Sequence, residues 1–436
     1  MKSGVAAVLL FTGCALCCRS QSVTIDLTQS VNGRYIQHFV VEAANHDPAA
    51  DTPEKIFSVN QDLAKEGNTD AAMQLGFAFL QGYGVQQDLS QAEHWFQKGA
   101  TTSDEKALVG GMYEHGDYFA TDLDAAARWL TAAGRPGDLF ELAQAYRQAS
   151  PPQTAKAAAM YVALLKDTGD PAVRRAQMEL GNFVLDGKYS AGNYSTGRAL
   201  NLEWARIITQ ELLGQEEYKI AVDYDIGRED LPIDKAMWLH FCRRAAAYNI
   251  DLAQHFYVES MMQGDVPDKS GYEEIVWTRL ASEKQTGEIA LLNSMTSGMT
   301  AQQRDAANAA YESLVQTRKH DGAYYPVDDP LRNPTPEALA AMPSDSPDVQ
   351  LRRAFMLEQS AQINEATYRQ VMDIYRTVRD RREIDIRFVL GRDCLNGTSG
   401  IPKNPATAQY WLHEAADRGS KPAQDLLTTL NAKTSN

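Results

Sequence analysis

An all-α solenoid of stacked helix-turn-helix repeats is the fold the sequence predicts, and three observations predict it. Large aromatic residues recur at the spacing of one helical hairpin. A residue type that caps helices stands seven positions before nearly every one of them. The chain has 436 residues, more than one ordinary globular core holds, so it divides into domains or extends as an array.

The six tryptophans are Trp95, Trp129, Trp204, Trp238, Trp277 and Trp411. With Tyr161, which stands in the same context, they step by 34, 32, 43, 34 and 39 residues from Trp95 to Trp277, and Tyr375 to Trp411 adds a step of 36. Self-similarity at such a period marks a repeat architecture. Seven residues before these aromatics stand Asp88, Asp122, Thr154, Gly197, Ser270 and Asn404; Leu231 breaks the series before Trp238, with Asp230 beside it. A short side-chain oxygen accepts a free N–H at a helix start, so Asp88, Asp122, Thr154, Ser270 and Asn404 read as helix caps. Ser270 with Glu273 spells a capping box, and Pro405 follows Asn404 where its missing N–H costs nothing. The seven aromatics are therefore expected as anchors buried between paired helices. On that reading Trp95→Ala costs roughly 3–5 kcal/mol.

The companion helix is read from "AAMQLGFAFLQG". Ala72, Leu75, Gly76 and Phe79 fall on one face at helical spacing, and Gly82 suits a left-handed C-terminal cap. In the second helix Ala92, Trp95, Phe96 and Gly99 form the matching face. One hairpin cannot bury both faces, and stacked neighbours complete the core. This places a repeat array over 55–320 and further repeats over 349–428, ahead of a tail at 429–436. Six prolines lie in residues 326 to 347, so 321–348 is a linker or bend, with Tyr324, Tyr325, Leu331 and Leu339 available for burial. Residues 21–54 hold two β-like runs and form a leader or a cap.

The stretch "DAAMQLGFAFLQGYGVQQDLSQAEHWFQKGA" resembles the Sel1-like repeat, a relative of the tetratricopeptide repeat. The shared elements are A-x-x-L-G, a G-x-G-V turn, an Asp, and then A-x-x-W. "IRFVLGRDCLNGTSGIPKNPATAQYWLHEAADRGSKPAQDLL" near the C-terminus is a second copy, with looser copies between. The resemblance implies a solenoid that binds protein partners. It implies contact candidates on the first helix of each hairpin, at polar positions such as Gln74 and Glu179, with Leu75 and Leu180 in the core. One subfamily carries two cysteines per repeat and has been linked to β-lactam binding; this sequence lacks those pairs.

The N-terminus reads "MKSGVAAVLLFTGCALCCRSQS". A Lys followed by a short apolar run has the form of an export signal, too short to anchor as a membrane span. Phe11-Thr12-Gly13-Cys14 resembles a bacterial lipobox, so residues 1–20 are read as a signal with Cys14 lipidated. The alternative is a plain secretory signal. Ala15, not an acidic residue, follows Cys14, which resembles outer-membrane sorting. The expected location is the periplasm, at the outer membrane.

The net charge of −15 argues against nucleic acid as a partner and admits basic ones. Cys242 and Cys394 are distant and unpatterned, no H-x-x-x-H occurs, and no metal or other cofactor is expected. "DYDIGRED" at 223–230 lacks the positions of a calcium loop. The arginines at 379, 381 and 382 have acidic neighbours and read as a helix face. No P-loop, G-x-S-x-G or nucleophile-base pair appears. The expected function is a non-enzymatic protein-protein interaction scaffold in the bacterial envelope. Exported Sel1-like lipoproteins include assembly factors for exopolysaccharide secretion, so that role follows by analogy. Two alternatives stay open. One is a hydrolase acting on a cell-wall or polysaccharide substrate, its site in 182–232 or in the linker. The other is a secretory-pathway adaptor, suggested by the sequons at Asn193 and Asn396.

Overall fold

The computed structural model describes residues 25–31, 34–39, 52–166, 170–228, 230–266, 271–283, 286–326, 328–360 and 363–434. Strands β1 (Ile25–Val31) and β2 (Arg34–Phe39) pair antiparallel, where the sequence shows its β-like runs. The named elements that follow are all helices, so the chain is an all-α repeat solenoid preceded by one ribbon. It separates into two compact units, Met1–Ala176 and Gln177–Asn436. The division falls after residue 176 and not at the proline-rich segment 321–348.

The first unit contains α1 (Pro53–Lys65), α2 (Thr69–Gln81), α3 (Leu89–Gly99), α4 (Ser103–His115), α5 (Leu123–Ala133), α6 (Pro136–Gln148) and α7 (Thr154–Leu164). The hairpins are α2–α3, α4–α5 and α6–α7. The turn of the first is locked from both sides. Gly82 ends α2 at φ 74°, a conformation that Gly adopts without strain. Asp88 then accepts the N–H groups of Ser90 and Gln91 at 2.9 and 3.0 Å. Its own N–H donates back to the Phe79 carbonyl at 2.9 Å. One residue thus caps the new helix and satisfies an orphan carbonyl of the old one. Gly116 and Asp122 repeat the arrangement, with the Asp122 N–H on the Tyr113 carbonyl at 3.0 Å.

Helix α8 (Pro171–Leu185) is followed by α9 (Tyr194–Ile226), α10 (Lys235–Ala247), α11 (Asp251–Met262), α12 (Glu273–Ser282), α13 (Thr286–Thr296), α14 (Ala301–Asp321), α15 (Pro336–Ala341), α16 (Pro347–Glu358), α17 (Glu365–Asn396), α18 (Pro405–Asp417) and α19 (Lys421–Thr434). The same turn lock recurs at Gly227–Asp234 and at Gly397–Asn404, whose cap N–H groups reach the carbonyls of Tyr224 and Cys394 at 3.0 and 2.7 Å. Helices α9 and α17 run for 33 and 32 residues. Helix α9 packs on α10 and α17, and α17 packs on α16 and α18, so each long helix serves two neighbouring pairs.

The segment 321–348 is part of the second unit's core. Tyr324, Tyr325, Leu331 and Leu339 are buried, and the Tyr324 N–H donates to the Ala247 carbonyl at 2.9 Å. The C-terminal repeats share that core: Trp411 Nε1 donates to the Tyr224 hydroxyl at 2.7 Å. Within the second unit, residues 177–320 and 349–428 therefore share one core and are not lobes joined by a tether.

Candidate functional site

The seven expected anchors divide by burial. Tyr161, Trp204, Trp277 and Trp411 are buried; Trp95, Trp129 and Trp238 are half-buried. In the Sel1-like hairpins the next residue takes the innermost place. Phe96, Leu130 and Leu412 are sealed against Gly76, Gly110 and Gly391, where a Cβ would come within 2.4, 2.5 and 2.8 Å of them. The tryptophan then lies to one side. Trp95 carries Lys98 over its ring at 4.7 Å. Trp411 is covered because Tyr224 and Arg387 close over it.

The phase at Trp238 needs correction. Helix α10 is capped by Asp234, which accepts from Ala236 and Met237. Seven residues on stands Phe241, which is buried and stacks on Tyr224 at 6.2 Å, and it holds the anchor position. Trp204 belongs to a helix capped by Asn193, and Gly197 lies inside that helix. Asp88, Asp122 and Asn404 cap their helices through their side chains. Thr154 does not: it is the first residue of α7, after Gln153, which makes no side-chain cap bond. Ser270 lies outside the described residues, and the N-cap position of α12 is Tyr272, again without a side-chain bond.

Of the contact candidates, Gln74 is buried, because α2 is enclosed along most of its length between α1 and α3. It therefore offers no accessible contact surface. Glu179 is half-buried; Leu75 and Leu180 are core. Cys14 lies outside the described residues. Cys242 and Cys394 are free and buried, and burial pushes both thiols up to about 12. Asp223 of the 223–230 stretch is buried and accepts from Arg228 Nε at 2.8 Å. Among the described residues no group of three or more His, Cys, Asp or Glu could hold a metal ion, and no helix is long and apolar enough to cross a membrane.

What the sequence reading missed is a cleft of about 320 Å³ between α10, the segment 325–349 and the C-terminal half of α17 with the loop after it. Asp234 starts α10 and sets the face on which His240, Arg243, Arg244 and Ala247 line up at helical spacing. Pro347 opens α16 and puts Asp348 in its first turn, where the helix dipole favours a carboxylate. The floor is apolar, with Leu331, Val349, Ile386 and Leu390 buried; Asp328, Pro343 and Ser399 form an exposed rim.

Arg244 donates to Glu217 at 2.7 Å and bonds Asp348, whose other oxygen accepts from the Tyr248 hydroxyl at 2.8 Å. Arg243 pairs with Asp328. Burial, aided by Arg244 and Arg243, lowers His240 to about 3, so it is neutral near pH 7. Burial also lifts Glu217 to about 7 against the pull of Arg244. Asp329 accepts the Leu331 N–H at 2.8 Å and has no ion-pair partner among the described residues. The signals were the doublets Arg243-Arg244 and Asp328-Asp329, but no local pattern pairs residues so far apart.

The family model for the Sel1 repeat matches residues 69–101, 107–138 and 388–420. The chain is thus a helical-repeat protein carrying Sel1 repeats. No curated protein matches the sequence. Among solved structures, the chain is similar to a Sel1 repeat protein from Oxalobacter formigenes, with 18% identity over 87% of this chain and 82% of that one, at a TM-score of 0.28. It is also similar to a protective antigen of uropathogenic Escherichia coli strains displaying an SLR fold, with 19% identity over 85% and 73% and a TM-score of 0.24. A putative Sel1 repeat protein from Klebsiella pneumoniae gives 21% identity over 47% and 98%, with a TM-score of 0.19.

Proposed function

We propose that this chain is a non-enzymatic scaffold that holds a protein partner in the bacterial envelope, as an assembly factor for a secretion or exopolysaccharide-export complex. The observation that carries the reading is the recurring locked hairpin, together with the three Sel1 matches. Sel1 repeats generally mediate protein-protein contact, and stacked hairpins of this kind present surface along their first helices. In α6 the position equivalent to Gln74 is Glu141, which is exposed. Glu114 lies close enough to Glu141 and Asp138 that they add to the rise that burial causes in its pKa. That acidic face, with the net charge of −15, favours a basic partner surface.

Export and a lipid on Cys14 are part of the same proposal, resting on the lipobox-like N-terminus. A fatty-acid probe marking the wild type and not Cys14→Ser is the expected labelling result. The hydrolase alternative looks for a perturbed acid or base in 182–232, and Glu217 meets that criterion. It is fully buried and bonded to Arg244, so it has no route to a substrate.

The deciding experiment places a photo-cross-linker at Gln148, exposed on the same face of α6 as Glu141, and captures from native envelope fractions. One recurrent partner is expected. Glu141→Lys should abolish its capture while unfolding stays within about 0.5 kcal/mol of wild type, as surface changes usually do. Full capture by that variant, with turnover of a cell-wall or polysaccharide substrate by the purified chain, would sink the scaffold reading.

A further inference from the structure

We propose that the cleft beside α10 is a binding site for an aliphatic cation, of the size and chemistry of an arginine or lysine side chain, with Asp329 receiving the charge. The proposal rests on the cleft and is independent of the surface assigned to the scaffold role.

Three features select that ligand. The first is size: about 320 Å³ lies near the lower end of small-ligand pockets, roughly 300–1,000 Å³. The second is the wall. Leu331, Val349, Ile386 and Leu390 offer apolar contact to a hydrocarbon stem, and such stems are what arginine and lysine bury while their heads stay polar.

The third is the charge balance. The two arginines at the cleft are already matched, Arg243 by Asp328 and Arg244 by both Glu217 and Asp348. Glu217 is fully buried behind Arg244 and keeps one carboxylate oxygen without a hydrogen bond. His240 adds no positive charge near neutral pH. An anion entering the cleft would meet guanidinium groups already bonded to carboxylates. A cation meets Asp329, half-buried, with one oxygen on the Leu331 N–H and, among the described residues, no ion pair; its charge acts on Arg244, which Glu217 and Asp348 already hold. Low local dielectric strengthens that attraction relative to water.

The test compares probes of one shape and different charge on the full chain: hexylammonium, hexanol and hexanoate, followed by titration calorimetry. Hexylammonium is expected to bind at least about tenfold more tightly than the other two, a ratio worth roughly 1.4 kcal/mol. Asp329→Asn should erase that preference, since Asn keeps an acceptor for the Leu331 N–H and removes only the charge. Met342→Trp, at the half-buried edge, should block all three probes and gives a second variant if the first folds poorly. Agmatine and a blocked Gly-Arg-Gly peptide distinguish a free amine from a side chain presented by a partner: both bind if the site takes side chains, agmatine alone if it takes free amines. Equal binding of hexanoate or hexanol, unchanged hexylammonium affinity in Asp329→Asn, or no binding by any probe overturns the proposal.

Discussion

The two compact units solve the same packing problem with different chemistry. Among the described residues of the first unit, Asn60 and Gln74 are the buried polar side chains, and the rest of the core is apolar. The second unit buries Glu216, Glu217, Asp321, Asp348, Arg352 and Arg387 along with its aromatics. Its ion pairs join residues distant in sequence: Arg244 with Asp348, Arg352 with Asp321 at 2.5 Å, Arg387 with Glu216. The first unit is thus assembled from local hairpins with interchangeable apolar contacts. The second is specified by particular long-range partners, and its cleft is built from the same charged residues.

The sharpest way to break that contrast is at Arg387, which is 1% exposed. It pairs with Glu216, lies 3.7 Å from Glu414 and donates to the Glu383 carbonyl at 2.8 Å. Removing one member of a buried pair strands the other charge, so Arg387→Ala should cost roughly 3–5 kcal/mol. Hydrogen exchange should show the loss at α9, α17 and α18. A cost under about 1 kcal/mol would mean that the second unit depends on its apolar contacts as the first does.

This contrast also explains which parts were legible in the sequence. The turn and the cap of the first hairpin could be read, because their signals are local: a left-handed Gly, an Asp six residues on, and an apolar face at helical spacing; its innermost residue, Phe96 and not Trp95, could not. The phase at Trp238 was misread because Trp is conspicuous; counted from Asp234, the rule of seven selects Phe241. The long α9 was hidden because no turn separates its two halves. The cleft could not be read at all, since the residues that pair across it belong to α10 and to the first turn of α16, about a hundred positions apart.

A smaller effect sharpens the account of the first unit. Sequence spacing alone makes Trp95 the anchor, whereas the structure gives that place to Phe96, whose ring fills the notch at Gly76. Phe96→Ala should therefore cost roughly 3–5 kcal/mol, and Trp95→Ala only about 1–2 kcal/mol, because half-buried area returns part of the transfer energy. Urea unfolding of the two variants decides the order. Equal costs would restore Trp95 as a core anchor.

The smallest effect concerns the turn lock itself. Asp88 and Thr154 occupy the same place relative to Trp95 and Tyr161 in sequence, yet only Asp88 caps a helix through its side chain. Asp88→Ala removes an acceptor for two N–H groups and should cost about 1 kcal/mol, the usual value of an N-cap. Its own N–H bond to Phe79 is main-chain and survives the substitution. Thr154→Ala removes no cap and replaces a β-branched residue by a better helix former, so unfolding should shift by less than about 0.5 kcal/mol in either direction. The difference that the comparison reads is the side-chain cap, present at Asp88 and absent at Thr154. If Thr154→Ala proved as costly as Asp88→Ala, the helix α7 boundary would have to begin one residue later, with Thr154 as its cap.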